Sequence, residues 1–216
     1  MTTEHASLFI QALIAIAAFV ALRQLTLTKE GLITNSRRES IKYASELVTQ
    51  YLNNIIPVIN KLDTKLGVMG YTTFGKPMRL KFFTREEILS ADSDLKIHFE
   101  KSSKLFMTNY DTLADLVLCA NLIESFATPL IEGVADEKVA FKSVGKTFCD
   151  QIERYYALYV FARENGKADF NYYANTISLF ALWSNRIRKS NLRDIEKNTR
   201  DLLANIPDKV IKPIGT

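Results

Sequence analysis

The residue types that carry out chemistry are scarce in this chain, and their spacing suits none of the common reactions. There are two histidines, His5 and His98, and two cysteines, Cys119 and Cys149. A structural metal takes its ligands from Cys, His or carboxylate at short, fixed spacings, and no pair here offers one. Cys149 has no histidine near it in sequence, and its one distant partner of the right type is His98. A Cys–His nucleophile is therefore not expected. Gly145-Lys146-Thr147 matches the end of a phosphate-binding loop, but it lacks the leading glycine and falls inside a helical pattern. No catalytic residue, metal ligand or cofactor is expected, and the chain does not read as an enzyme.

Three constellations remain. Asn121 and Glu124 are polar groups on an otherwise apolar helix. A carboxylate buried there needs a partner, and Arg154 or Arg163 on the following helical segment is the expected one. Such a pair would fix helix register; a ligand or proton site is the sharper alternative. The second constellation is the aromatic run Tyr155, Tyr156, Tyr159, Phe161, Phe170, Tyr172, Tyr173, Phe180 and Trp183. Most of it reads as core, with Tyr172 and Tyr173, together with Arg186, Arg188 and Lys189, left as a partner surface. The third is the basic section Arg186, Arg188, Lys189, Arg193, Lys197 and Arg200, diluted by Asp194, Glu196 and Asp201. A solvated face is the default there, with lipid headgroups or RNA phosphate as the sharper readings.

The elements that must position these residues begin with Ala6 to Leu22, ASLFIQALIAIAAFVAL, which is uncharged and has only Ser7 and Gln11 as polar residues. As a helix it covers roughly 25 Å, slightly short of the ~30 Å hydrocarbon core, a gap closed by His5, Leu25 and a snorkelling Arg23. A secretory signal would carry Lys or Arg ahead of the run; the first seven residues, MTTEHAS, hold Glu4 and no cation. The run therefore reads as one membrane span. The cations follow it: Arg23, Lys29, Arg37 and Arg38, then Lys42. The positive-inside rule puts the N-terminus outside and the remainder in the cytoplasm, with Arg23, Lys29, Arg37 and Arg38 against the headgroups.

The rest reads as all-α, with residues 1–25 as anchor, 26–40 as a juxtamembrane stalk, 41–206 as a helical cytoplasmic bundle and 207–216 as a loose tail. Ile41, Ala44, Val48, Tyr51, Ile55, Val58 and Leu62 form a three/four-spaced seam, interrupted by Pro57. Residues 67–83 are rich in glycine and aromatics and are the one place for a small hairpin. Thr84 to Glu87 reads as a capping box. The periodicity then predicts helices over 85–107 with a break near 90–94, over 110–131, over 136–165 as one long helix, over 170–190 capped by Asp169, and over 191–206. A formal net charge of +4 with 24% charged residues is mild, which disfavours a dedicated nucleic-acid binder. Two cysteines inside apolar patterns fit buried thiols in a reducing compartment.

The stretch NLIESFATPLIEGVADE and its continuation to Arg163 resemble a bacterial family of unknown function with one N-terminal span and a helical cytoplasmic domain. The residues that carry the resemblance are Asn121, Glu124, Gly133, Asp136, Glu137 and Arg163. It implies an inner-membrane location and a setting in phage defence or membrane signalling, and supplies no catalytic residues. The expected function is binding at the membrane, as a sensor, scaffold or regulator, with the bilayer and another protein or a second copy as partners. The alternative is an oligomerising effector that permeabilises or depolarises the bilayer, for which Gln11 would hydrogen-bond between spans.

Overall fold

The computed structural model describes residues 3–70, 82–90, 93–165 and 172–204; the side chains of 3–16, 93, 98, 106, 165, 203 and 204 lie outside that description. Every regular element among the described residues is helical. Helix α1 (Thr3–Gln50) is followed by a single π-helical turn (Tyr51–Ile55) and α2 (Ile56–Val68). Then come α3 (Arg85–Ser90), α4 (Ser93–Thr108), α5 (Tyr110–Ile131), α6 (Glu137–Arg154), α7 (Tyr156–Asn165) and α8 (Ala174–Ala204).

Helix α1 has 48 residues, so it is about 70 Å long. Its side chains from Ala17 to Glu39 are exposed on every face, and the first fully buried one is Ala44. The stalk expected over 26–40 is thus unbroken helix, despite Gly31. Thr26, Thr28 and Thr34 donate their hydroxyls to carbonyls one turn back, at 3.0, 2.9 and 2.9 Å. The arm joins the body where the Asp136 amide donates to the Ser40 carbonyl at 3.1 Å.

Below that joint the chain enters the core. Pro57 has no amide hydrogen and its ring would meet the carbonyl of residue 53. The chain absorbs both problems by widening the preceding turn into π geometry. The buried residues along this stretch are Ala44, Leu47, Tyr51, Ile55, Ile59, Leu62 and Leu66. Val48 and Val58 of the expected seam are only half-buried and Ile41 is exposed. The seam packs internally, against α5 and α6.

Gly67 and Val68 still belong to α2, and the chain turns at Gly70 (φ 74°). The rest of the expected hairpin, 71–81, lies outside the described residues. The capping box at α3 forms in extended shape. The Glu87 amide donates to Thr84 Oγ1 at 3.3 Å, and the Glu87 carboxylate takes the Phe82 and Phe83 amides at 2.8 and 3.1 Å. The hydroxyl of Tyr156 closes the same carboxylate.

Helix α5 keeps the bounds its periodicity predicts, capped by Asn109, whose side chain accepts from the Thr112 amide at 3.2 Å. It is the central helix, packed on α8, α2 and α4. Among the described residues it is also the one helix long and apolar enough to cross a membrane. One face of it is buried (Leu116, Cys119, Ala120, Ile123, Phe126, Ala127 and Leu130), while Val117 and Leu118 are exposed. Of the N-terminal run Ala6–Leu22, residues 6–16 are seen as helical backbone alone, and the side chains of 17–22 are exposed.

Three expected helices are divided or joined differently. The run 136–165 is broken at Tyr155 (φ −101°, ψ 19°) into α6 and α7. The change of direction buries every side chain from Tyr155 to Phe161, which a straight amphipathic helix cannot do. Conversely, 170–190 and 191–206 are not two helices: α8 runs through without a stop from Ala174 to Ala204. The expected cap Asp169, Gly166 as a helix stop and the tail 207–216 lie outside the described residues.

Candidate functional site

The polar pair expected around Glu124 is not formed. Asn121 is exposed, and no ion pair joins Glu124 to Arg154 or Arg163 among the described residues. Glu124 instead caps α8. Its two carboxylate oxygens accept the amides of Asn175 and Thr176 at 3.1 and 2.8 Å, and the Thr176 hydroxyl at 2.6 Å. Thr128, one turn on, accepts the Asn175 side-chain amide at 3.1 Å. The physical reason is that a helix N-terminus satisfies a carboxylate as a guanidinium does, with unpaired amides and a positive dipole end. Arg154 goes to Asp63 on α2 at 2.6 Å, where the Tyr155 hydroxyl also donates. Arg163 donates to the Phe82 carbonyl at 3.4 Å.

Phe170 lies outside the described residues, and the rest of the aromatic run is core except for Tyr172. Trp183 is fully buried and packs edge-on to Phe126, Phe148 and Phe141, with ring centroids 6.3, 5.0 and 5.7 Å away. Tyr51 lies 4.7 Å from Phe126 and donates to Gln151. Phe83 stacks on Tyr156 at 4.2 Å. Of the two tyrosines assigned to a partner surface, Tyr173 is buried, edge-on to Tyr159 at 5.3 Å, with a left-handed backbone (φ 61°) that turns the chain into α8. Tyr172 alone of the pair remains exposed.

Burial governs the titration of the groups that the core encloses. Desolvation raises Tyr51, Tyr155, Tyr156 and Tyr159 above the ordinary tyrosine value, and hydrogen bonds to Asp63 and Glu87 push Tyr155 and Tyr156 further. The Cys119 and Cys149 thiols are pushed up to about 12, chiefly by burial. At neutral pH about one thiol in 10⁵ would be ionised, so neither is poised as a nucleophile. Among the described residues, no three His, Cys, Asp or Glu converge as they would around a metal.

The basic section of α8 divides in two. Arg186 is anchored: it makes a bidentate pair with Glu137 at 2.8 and 3.0 Å, and its guanidinium lies 4.4 Å above the Phe141 ring. The Trp183 indole donates to the same carboxylate. From Lys189 to Leu202 every side chain is exposed, including Leu192, Ile195 and Leu202. Helix α8 therefore leaves the body at its C-terminal end as α1 enters it at its N-terminal end. Arg188 is half-buried and close enough to Glu153 to oppose the upward pull of burial on that carboxyl.

The arm carries the remaining expected residues. Arg23, Lys29, Arg37 and Arg38 are all exposed along α1, interleaved with exposed Phe19, Leu22, Leu25, Leu27, Leu32 and Ile33. Ala6 and Gln11 lie among the side chains outside the description. No family model, curated protein or solved structure matches this chain.

Proposed function

We propose that this chain is a single-pass inner-membrane protein whose helical body works by binding in the cytoplasm, as a sensor, scaffold or regulator. The observation that carries the reading is the form of α1. One unbroken helix holds large apolar side chains from Phe19 to Ile33 clear of every other described element. A soluble protein has little use for such a surface, whereas a bilayer covers its N-terminal part. The uncharged run Ala6–Leu22 and the cations that follow it support an outside N-terminus. The resemblance to a bacterial family with this layout supports a setting in phage defence or membrane signalling.

A test uses a cysteine placed ahead of the run, Thr3→Cys, with Cys119 and Cys149 buried and slow to react. Intact cells should label at that cysteine with a membrane-impermeant maleimide, and alkaline carbonate should leave the protein with the membranes. Extraction into the soluble fraction would refute the anchor.

The second reading is an oligomerising effector that permeabilises the bilayer. It is favoured by Leu25, Leu27, Leu32 and Ile33, which continue the uncovered apolar surface beyond the expected span. The mass of the detergent-solubilised protein separates the two. An oligomer that falls apart in Gln11→Leu supports the effector, and a monomer supports a tethered binding module.

A further inference from the structure

Helices α6 and α8 flank an open cleft of about 500 Å³ whose lining holds four cations, Lys146, Arg186, Lys189 and Arg193, and no carboxylate. Arg186 is already neutralised by Glu137. Lys146, Lys189 and Arg193 have no ion-pair partner among the described residues. Three uncompensated cations thus line one cleft that holds no carboxylate. Like charges gathered in a concave, partly apolar site repel one another and raise the local concentration of anions.

The floor of the cleft is built rather than incidental. Gly145 is buried, and a Cβ there would stand 2.5 Å from the Phe141 ring. The missing side chain lets that ring fold back along α6, and its face then seats the Arg186 guanidinium at 4.4 Å. Glu137 grips the same guanidinium from one edge. A guanidinium held on one face and along one edge keeps its remaining donors aimed with little further loss of freedom on binding. Ser190 and Asn191 add neutral hydrogen-bonding groups to the rim.

From this geometry we infer that the cleft is a binding site for a soluble di- or polyphosphate, whose oxygens are held by Lys146, Lys189 and Arg193 beside the seated Arg186. Several cations converging on one pocket match the clustered charge of linked phosphates. A nucleic-acid strand needs a longer basic track; beyond the cleft, α8 alternates Asp194, Glu196 and Asp201 with its cations.

A lipid headgroup is disfavoured by position. Ser40 meets Asp136 at the start of α6, and Tyr51 meets Gln151 near its end, so α1 and α6 run side by side in the same direction. Lys146 therefore lies on the far side of the joint from the arm. The helix from Arg23 to Ser40 adds about 25 Å more. That choice of a soluble source rests on the membrane reading; the site itself does not.

Titration of the full-length protein in a neutral detergent with inorganic pyrophosphate, followed calorimetrically at low salt, tests the site. One saturable site is expected. Charge-assisted hydrogen bonds of this kind contribute about 1.5–3 kcal/mol each, so Lys146→Glu and Arg193→Glu should each weaken binding roughly tenfold to a hundredfold. Lys104→Glu on α4 should leave it unchanged. Both reversed positions are exposed, and Trp183 emission would report that the fold is intact. Absence of a saturable site, or equal binding in all three variants, would overturn the proposal. Repeating the titration in nanodiscs of zwitterionic lipid, with and without phosphatidylglycerol, addresses the source. Unchanged pyrophosphate affinity supports a soluble ligand, whereas competition by the anionic lipid would overturn that choice in favour of a headgroup. Failure to enter nanodiscs would refute the anchor and leave the detergent titration to judge the cleft.

Discussion

Replacing Glu124 by Ala removes the acceptor on which the first turn of α8 depends. Two backbone amides, Asn175 and Thr176, and the Thr176 hydroxyl all end on this one carboxylate, and Thr176 is fully buried. A buried donor left without an acceptor costs about 1–3 kcal/mol, and loss of the charge at the helix start adds about 0.3–1 kcal/mol. Glu124 is only half-buried, so water recovers part of this. The expected cost is about 2–4 kcal/mol for Glu124→Ala and about 1–2 kcal/mol for Glu124→Gln, which retains one acceptor. The sole tryptophan, Trp183, sits fully buried two turns along the same helix, so its emission during urea unfolding reads the loss directly. Hydrogen exchange should show the Asn175 and Thr176 amides losing protection ahead of the rest of α8. Asn121→Ala, at an exposed position one turn away, should change stability by less than about 0.5 kcal/mol. A Glu124→Ala variant as stable as wild type would refute the cap, as would equal losses at Asn121 and Glu124.

The remaining predictions concern the core and the cleft floor. Folding holds the protons of Cys119 and Cys149 more tightly, raising them from an ordinary 9.0 to about 12, and the enclosed tyrosines shift the same way. Their contribution to stability is therefore complete below about pH 9 and lost as pH rises toward the folded values; urea midpoints that hold steady from pH 8 to 11 would contradict this. Gly145→Ala should destabilise despite the ~1 kcal/mol that alanine gains within a helix, because the Phe141 ring must move from its Cβ; a raised melting temperature would show that the ring yields freely. Asp63→Ala strands both Arg154 and the Tyr155 hydroxyl and should cost about 1–3 kcal/mol in urea unfolding, while Lys65→Ala, whose partner Asp115 is more exposed, should cost less than about 1 kcal/mol.

What the sequence made legible was local. The helix over 110–131 is written in its spacing, and the disturbance at Pro57 in a residue that cannot continue an ordinary helix. The misread features depend on partners far away in the chain. Nothing between 136 and 165 stops a helix by its own propensity. The break at Tyr155 arises where Arg154 and Tyr155 both reach Asp63, some 90 residues earlier. Across 190 no breaker stands either, and α8 runs through the expected division. Glu124 illustrates the point most sharply. The inference that a half-buried carboxylate needs a positive partner was sound, but the positive end it found was the start of a helix 51 residues on, which no spacing rule connects to it. The cleft follows the same logic. Lys189 and Arg193 stand in the basic section of α8 and Lys146 in a separate stretch on α6, and only the packing of those helices brings them to one cleft. Chemistry carried by neighbours in sequence is readable before folding; chemistry assembled by helix packing becomes visible only once the partners are known.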